Sequence, residues 1–84
     1  KELRKRIVES GVADKVSRSI DGVWKLRQSY FYRHGQTAFG YAGQVQRAVE
    51  AEGLVFTLIE ARDDWAAGPK NSYFTVICRI DPKP

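Results

Sequence analysis

Apolar residues recur at helical spacing at the start of the chain. Leu3, Ile7, Val8, Val12, Val16 and Ile20 fall on one side of a helix drawn from residue 2 to about residue 20, with Arg4, Lys5, Lys15 and Arg18 on the other. Gly11 interrupts the pattern and is expected to bend or split that helix, and Asp21-Gly22 stops it. The period then changes to two. Val23 to Arg33 reads as a strand with two unlike faces: Trp24, Leu26, Tyr30 and Tyr32 on one, Lys25, Arg27, Phe31 and Arg33 on the other.

His34-Gly35-Gln36-Thr37 makes the next turn, and a second helix is expected from about 37 to 52. Thr37 is its best N-cap and Gly53 its C-terminal stop. Phe39, Ala42, Val45, Ala48 and Val49 form its apolar stripe; Gly40 and Gly43 are expected to mark close packing on a sheet. Leu54 to Arg62 is a second strand, largely apolar on both faces, which suggests a central place or a covered face. A Gly-Pro and Asn loop from 63 to 71 holds Trp65, expected to fold back onto the domain. Ser72 to Ile80 is a third strand, ended by prolines.

These elements predict an α+β fold in the order helix–strand–helix–strand–strand: a three-stranded mixed sheet with both helices packed on one face. The two strands that flank the second helix should run parallel if they share a sheet. The last two should form an antiparallel hairpin with a long loop. The opposite sheet face is left open. It carries Lys25, Arg27, Phe31 and Arg33 from the first strand and Tyr73, Thr75, Ile77 and Arg79 from the third.

Composition narrows this picture. The 84 residues suit a single small domain, 1–84, for which homodimerisation would be a natural source of further buried area. The net charge of +4 is uneven. Residues 1–33 hold nine Lys/Arg against four acids, whereas residues 34–84 hold five against six. That asymmetry favours a polyanionic or acidic partner on the basic side. The lone Cys78 forbids an intrachain disulfide and, lying in an apolar alternating set, reads as a buried small hydrophobe; a cytoplasmic location is expected. No apolar stretch approaches the roughly 20 residues that cross a bilayer, so no membrane partner is expected. The chain begins at Lys1 and has no methionine, which suggests a piece trimmed from a longer protein.

Candidate chemistry is sparse. Arg33-His34-Gly35 resembles the Arg-His-Gly motif of the histidine phosphatase and phosphoglycerate mutase superfamily. That chemistry also needs a second histidine and a far longer domain, and His34 stands alone. One His and one Cys cannot supply a metal's usual ligand set, and no nucleophile–base pair is legible. No enzymatic activity, cofactor or metal is expected. What remains is binding. Lys25, Arg27, Arg33 and Arg79 would contact phosphates and Phe31 and Tyr73 would stack on bases, helped by Arg4 and Lys5 of the first helix. Nucleic acid, DNA or RNA, is the first reading. The second is a protein-interaction or homodimerisation module, a small accessory or regulatory protein whose open face meets an acidic protein or its own copy.

Overall fold

The structure, a computed structural model, describes residues 2–29, 36–66, 68 and 71–84. The chain runs α1 (Glu2–Glu9), β1 (Lys15–Arg18), β2 (Val23–Ser29), α2 (Ala38–Ala51), β3 (Leu54–Asp64) and β4 (Tyr73–Pro82). The four strands form one sheet in the order β1-β2-β4-β3, with every neighbouring pair antiparallel. The expected α+β class holds; the expected three-stranded mixed sheet does not. β2 and β3 do point the same way, since each is antiparallel to β4, but β4 lies between them. The crossover through α2 therefore skips one strand, and the C-terminal segment fills the gap.

The additional strand comes from the segment expected to finish the first helix. Gly11 takes a left-handed φ of 80° and ends α1, while the Ser10 and Gly11 amides close on the Arg6 and Val8 carbonyls. The next residues pair with β2: Val16 lies opposite Leu26 and Arg18 opposite Trp24. Ile20, Asp21 and Gly22 form the three-residue hairpin loop, with Gly22 at φ 85° and the Ser19 amide donating to the Val23 carbonyl at 2.8 Å. Val16 satisfies helical and alternating spacing alike, so the helical pattern absorbed it. Ile20, placed on the apolar helix side by the same pattern, is fully exposed at the hairpin tip.

Both helices lie on one face. Ile7 of α1 and Ala38, Tyr41, Ala42, Val45 and Val49 of α2 join Val16, Trp24, Leu26, Phe74, Val76 and Cys78 of the sheet in one buried cluster. Thr37 caps α2 by accepting the Gly40 amide at 3.0 Å. Phe39, expected in the apolar stripe, points to solvent at 72% exposure, and Tyr41 takes its place. Gly40 and Gly43 do not mark packing against the sheet. A side chain at either would meet Thr37 and Gln36, or Arg47, first. Three glutamines tie the layers together. The Gln28 amide donates to the Val12 carbonyl at 3.5 Å, Gln36 donates to Gln28 at 2.9 Å, and Gln44 donates to Gln36. This relay satisfies the buried Gln28 side chain, which apolar surroundings alone would leave costly.

β3, whose apolar run suggests a central place, is an edge strand, and β4 is the central one. A bulge between Leu58 and Glu60 interrupts its apolar run, and Val55, Leu58 and Ile59 are exposed along this edge. An apolar run indicates a strand but not its neighbours, which is why the sequence misplaces it. Among the described residues no helix is long and apolar enough to cross a membrane.

Two buried protons give the fold an alkaline limit. Burial pushes the Cys78 thiol from its ordinary 9.0 up to about 12. Burial first, and the Asp14 charge second, also raise the Tyr41 phenol far above its ordinary value. In the unfolded chain both groups ionise normally. Their contribution to stability is thus complete below the ordinary thiol value and declines as pH rises toward 12. The expected loss is about 1.4 kcal/mol per pH unit from Cys78 alone, steepening once tyrosine ionises in the unfolded chain. Urea unfolding across this range checks it, and Cys78→Ala should remove the first part of the slope.

Candidate binding face

The strand register sorts the second sheet face into rows. The first row runs Lys15, Arg27, Thr75, Arg62 across β1, β2, β4 and β3. The second runs Ser17, Lys25, Ile77, Glu60, and flanking rows hold Val23, Arg79, Thr57 and Ser29, Tyr73, Asp64. Neighbouring strands lie about 4.8 Å apart, so the first row presents three cations within a short span.

Three groups hold that row in place. Tyr73 lies beside it: Arg27 Cζ is 4.8 Å and Lys15 Nζ 5.1 Å from the ring centroid. The ring attracts both cations through its negative face and fixes them near one another. The buried Thr75 hydroxyl accepts Arg27 Nε at 3.4 Å and donates to Asp64 Oδ2. Asp64 closes the arrangement. Its Oδ2 lies 3.5 Å from Arg27 Nη2 and its Oδ1 accepts Arg62 Nε at 2.9 Å. Burial pushes the Asp64 carboxyl up, but the Thr75 hydroxyl, Arg62 and Arg27 together outweigh it and hold the carboxyl below its ordinary range. Arg62 also meets Glu60 at 3.2 Å. The β3 border of the face is thus balanced by acids, and the uncompensated charge lies over β1, β2 and β4.

The sequence-predicted residues separate into three groups. Lys25, Arg27, Tyr73 and Arg79 share the open face. Lys25 has no acidic or hydrogen-bonding partner among the described residues, and Arg79 Nη1 donates to the Asp21 carbonyl at 3.3 Å. Arg4 and Lys5 belong to α1, on the covered side of the sheet, and the structure does not bring them to this face. Arg4 has another task. The Ser19–Val23 pair is hydrogen bonded, so the alternation of an antiparallel ladder leaves Val16 with its carbonyl toward the free edge. Arg4 Nη2 donates to that carbonyl at 2.8 Å and covers the edge of β1. Phe31 and Arg33, with His34 and Gly35 of the Arg-His-Gly resemblance, lie outside the described residues.

Sequence reasoning missed Lys15, Arg62 and Asp64 as members of the face. Lys15 was assigned to a helix, although Lys15-Val16-Ser17-Arg18 before an Asp-Gly turn is an alternating signal. Arg62 and Asp64 reach the face only because the β3 bulge resets the alternation. Trp65, expected to fold back, is 63% exposed.

Other sites are less promising. Among the described residues no three His, Cys, Asp or Glu side chains gather to hold a metal ion. A pocket of about 150 Å³ between α1 and α2 is lined by Arg6, Ile7, Ser10, Ala48, Ala51 and Glu52, below the ~300 Å³ of ordinary ligand pockets. The chain matches none of the protein-family models, curated proteins or solved structures with which it was compared.

Proposed function

We propose that this chain is a non-catalytic binding domain that lays the phosphate backbone of a nucleic acid across the open face of its sheet. One observation carries the reading: Lys15 and Arg27 are directly opposite on paired strands and rest on the same tyrosine ring. Like charges in that relation cost stability. A fold that places them so, with Lys25 and Arg79 on the same face, suits an external polyanion. Tyr73 serves here as a platform for the cations. DNA and RNA are both accommodated, since phosphate contacts carry no sequence information. The cytoplasm, where a reduced Cys78 and nucleic acid coexist, is the setting that fits.

Four cations, Lys15, Lys25, Arg27 and Arg79, set the expected salt dependence. With a single-stranded oligonucleotide the logarithm of affinity should fall with the logarithm of salt at a slope of about −3, or about 50-fold between 50 and 200 mM. Fluorescence anisotropy with a labelled mixed-sequence oligonucleotide measures it. A flat salt response would contradict the proposal.

A protein-interaction or homodimerisation role is the second reading, and the exposed Val55, Leu58 and Ile59 along the β3 edge favour it. Light scattering after size exclusion separates the two: a monomer that shifts with oligonucleotide supports the first, a dimer indifferent to it the second.

A further inference from the structure

We infer that Asp64 stands in the place of a phosphate group and acts as an autoinhibitory contact on the basic face. This rests on the phosphate-binding reading above and goes further, because it names one anion position and the residue that governs access to it. The donors around the Asp64 carboxylate are those a phosphate would choose: the Arg27 and Arg62 guanidinium groups and the Thr75 hydroxyl. They come from three different strands and converge on one point of the first row, with Lys15 beyond Arg27 on the same line. An Asp and a phosphate both offer acceptor oxygens there, so the two compete for one set of donors.

The position of Asp64 allows it to yield. It is the last residue of β3, next to the connection to β4, and its side chain is partly exposed. Its longest contact is the one to Arg27, at 3.5 Å, against 2.9 Å to Arg62. An incoming phosphate can take Arg27 first while Arg62 still holds the carboxylate. Full displacement would then free Arg62 as well. Asp64 thus sets how much of the row is available and favours ligands with closely spaced phosphates over a single carboxylate.

The test compares two variants that change net charge equally. Asp63 is the neighbouring acid, but its register partner is Phe74, so it lies on the covered side of the sheet. Asp64→Asn should bind a labelled mixed-sequence single-stranded oligonucleotide about 5-fold more tightly than the wild type near 0.1 M salt. Its salt slope should steepen by about 0.7, the mark of one added phosphate contact, Arg62. Asp63→Asn should change affinity less than about twofold, since its register position faces the covered side and none of the ion pairs of the basic row runs to it. Circular dichroism confirms that each variant folds; if Asp64→Asn does not, Asp64→Ser keeps a small polar group near the Thr75 hydroxyl and takes its place. Equal effects of the two variants, with the wild type binding at the expected slope, would overturn the Asp64 role and leave the binding face intact. Failure of the wild type and both variants to bind would overturn the face and the latch together. Binding by Asp64→Asn alone would support both.

Discussion

Phe74→Ala is expected to lower the unfolding free energy by about 3–5 kcal/mol, the cost of emptying a ring-sized space in a core that collapses only in part. An 84-residue domain has roughly 4–13 kcal/mol in total, so this one truncation should bring the chain to the edge of unfolding near room temperature. The site explains the size of the effect. Phe74 is fully buried on the central strand, between Gln28 of β2 and Asp63 of β3 in the register. Its ring lies 6.4 Å from that of Tyr41, tilted by 39°. Tyr41 is also fully buried, and among the described residues its hydroxyl has no hydrogen-bond partner. Removing the Phe74 ring takes away packing beside a polar group that is already costly to bury. Phe39→Ala removes a ring of the same size from the first turn of α2, but that ring is 72% exposed. It should change stability by less than about 0.5 kcal/mol. Urea denaturation of the two variants beside the wild type measures both, and similar losses would mean that α2 is rotated from the orientation described.

The contrast between these two phenylalanines shows where the sequence was legible. Local patterns were strong where one period dominated. The alternation from Trp24 to Gln28 fixed β2 and its two faces, and Thr37 and Gly53 framed α2 within a residue of its bounds. Rotation of α2 was less legible, because Phe39 and Tyr41 are both aromatic and only tertiary packing chooses between them. β1 was hidden for a different reason: four residues of strand pattern, preceded by an amphipathic helix, agree with a helix that simply continues. Gly11 carried the signal, since its left-handed backbone ends α1. The order of strands was not legible at all. Nothing in the apolar run of β3 states that β4 will insert beside β2, and the bulge that brings Arg62 and Asp64 onto the basic face depends on that pairing. The cations of β2 could therefore be read from the chain, whereas the acid that restrains them could not.

Reversing the charge of Lys15 and Lys25 together should weaken binding of the single-stranded oligonucleotide by about 25-fold or more at 0.1 M salt, on the scale of two lost phosphate contacts. Two new carboxylates on the same face would add repulsion to that loss. Folding should respond in the opposite direction. Lys15 faces Arg27 across the β1–β2 ladder, and Lys15→Glu turns a repulsive pair into an attractive one worth about 0.2–1 kcal/mol. Lys25 lies opposite Ile77 and, among the described residues, has no acidic partner to lose. The doubly reversed variant should thus be at least as stable as the wild type and bind far less. That divergence separates a surface kept for a ligand from one kept for the fold. If the Lys15–Arg27 juxtaposition served only the packing of Tyr73, Lys15→Glu would remove a cation from the ring and lower stability without touching affinity. Thermal melts and anisotropy titrations on the same preparations decide between the two. Tight binding retained by the stable double variant would place the nucleic-acid surface elsewhere on the molecule.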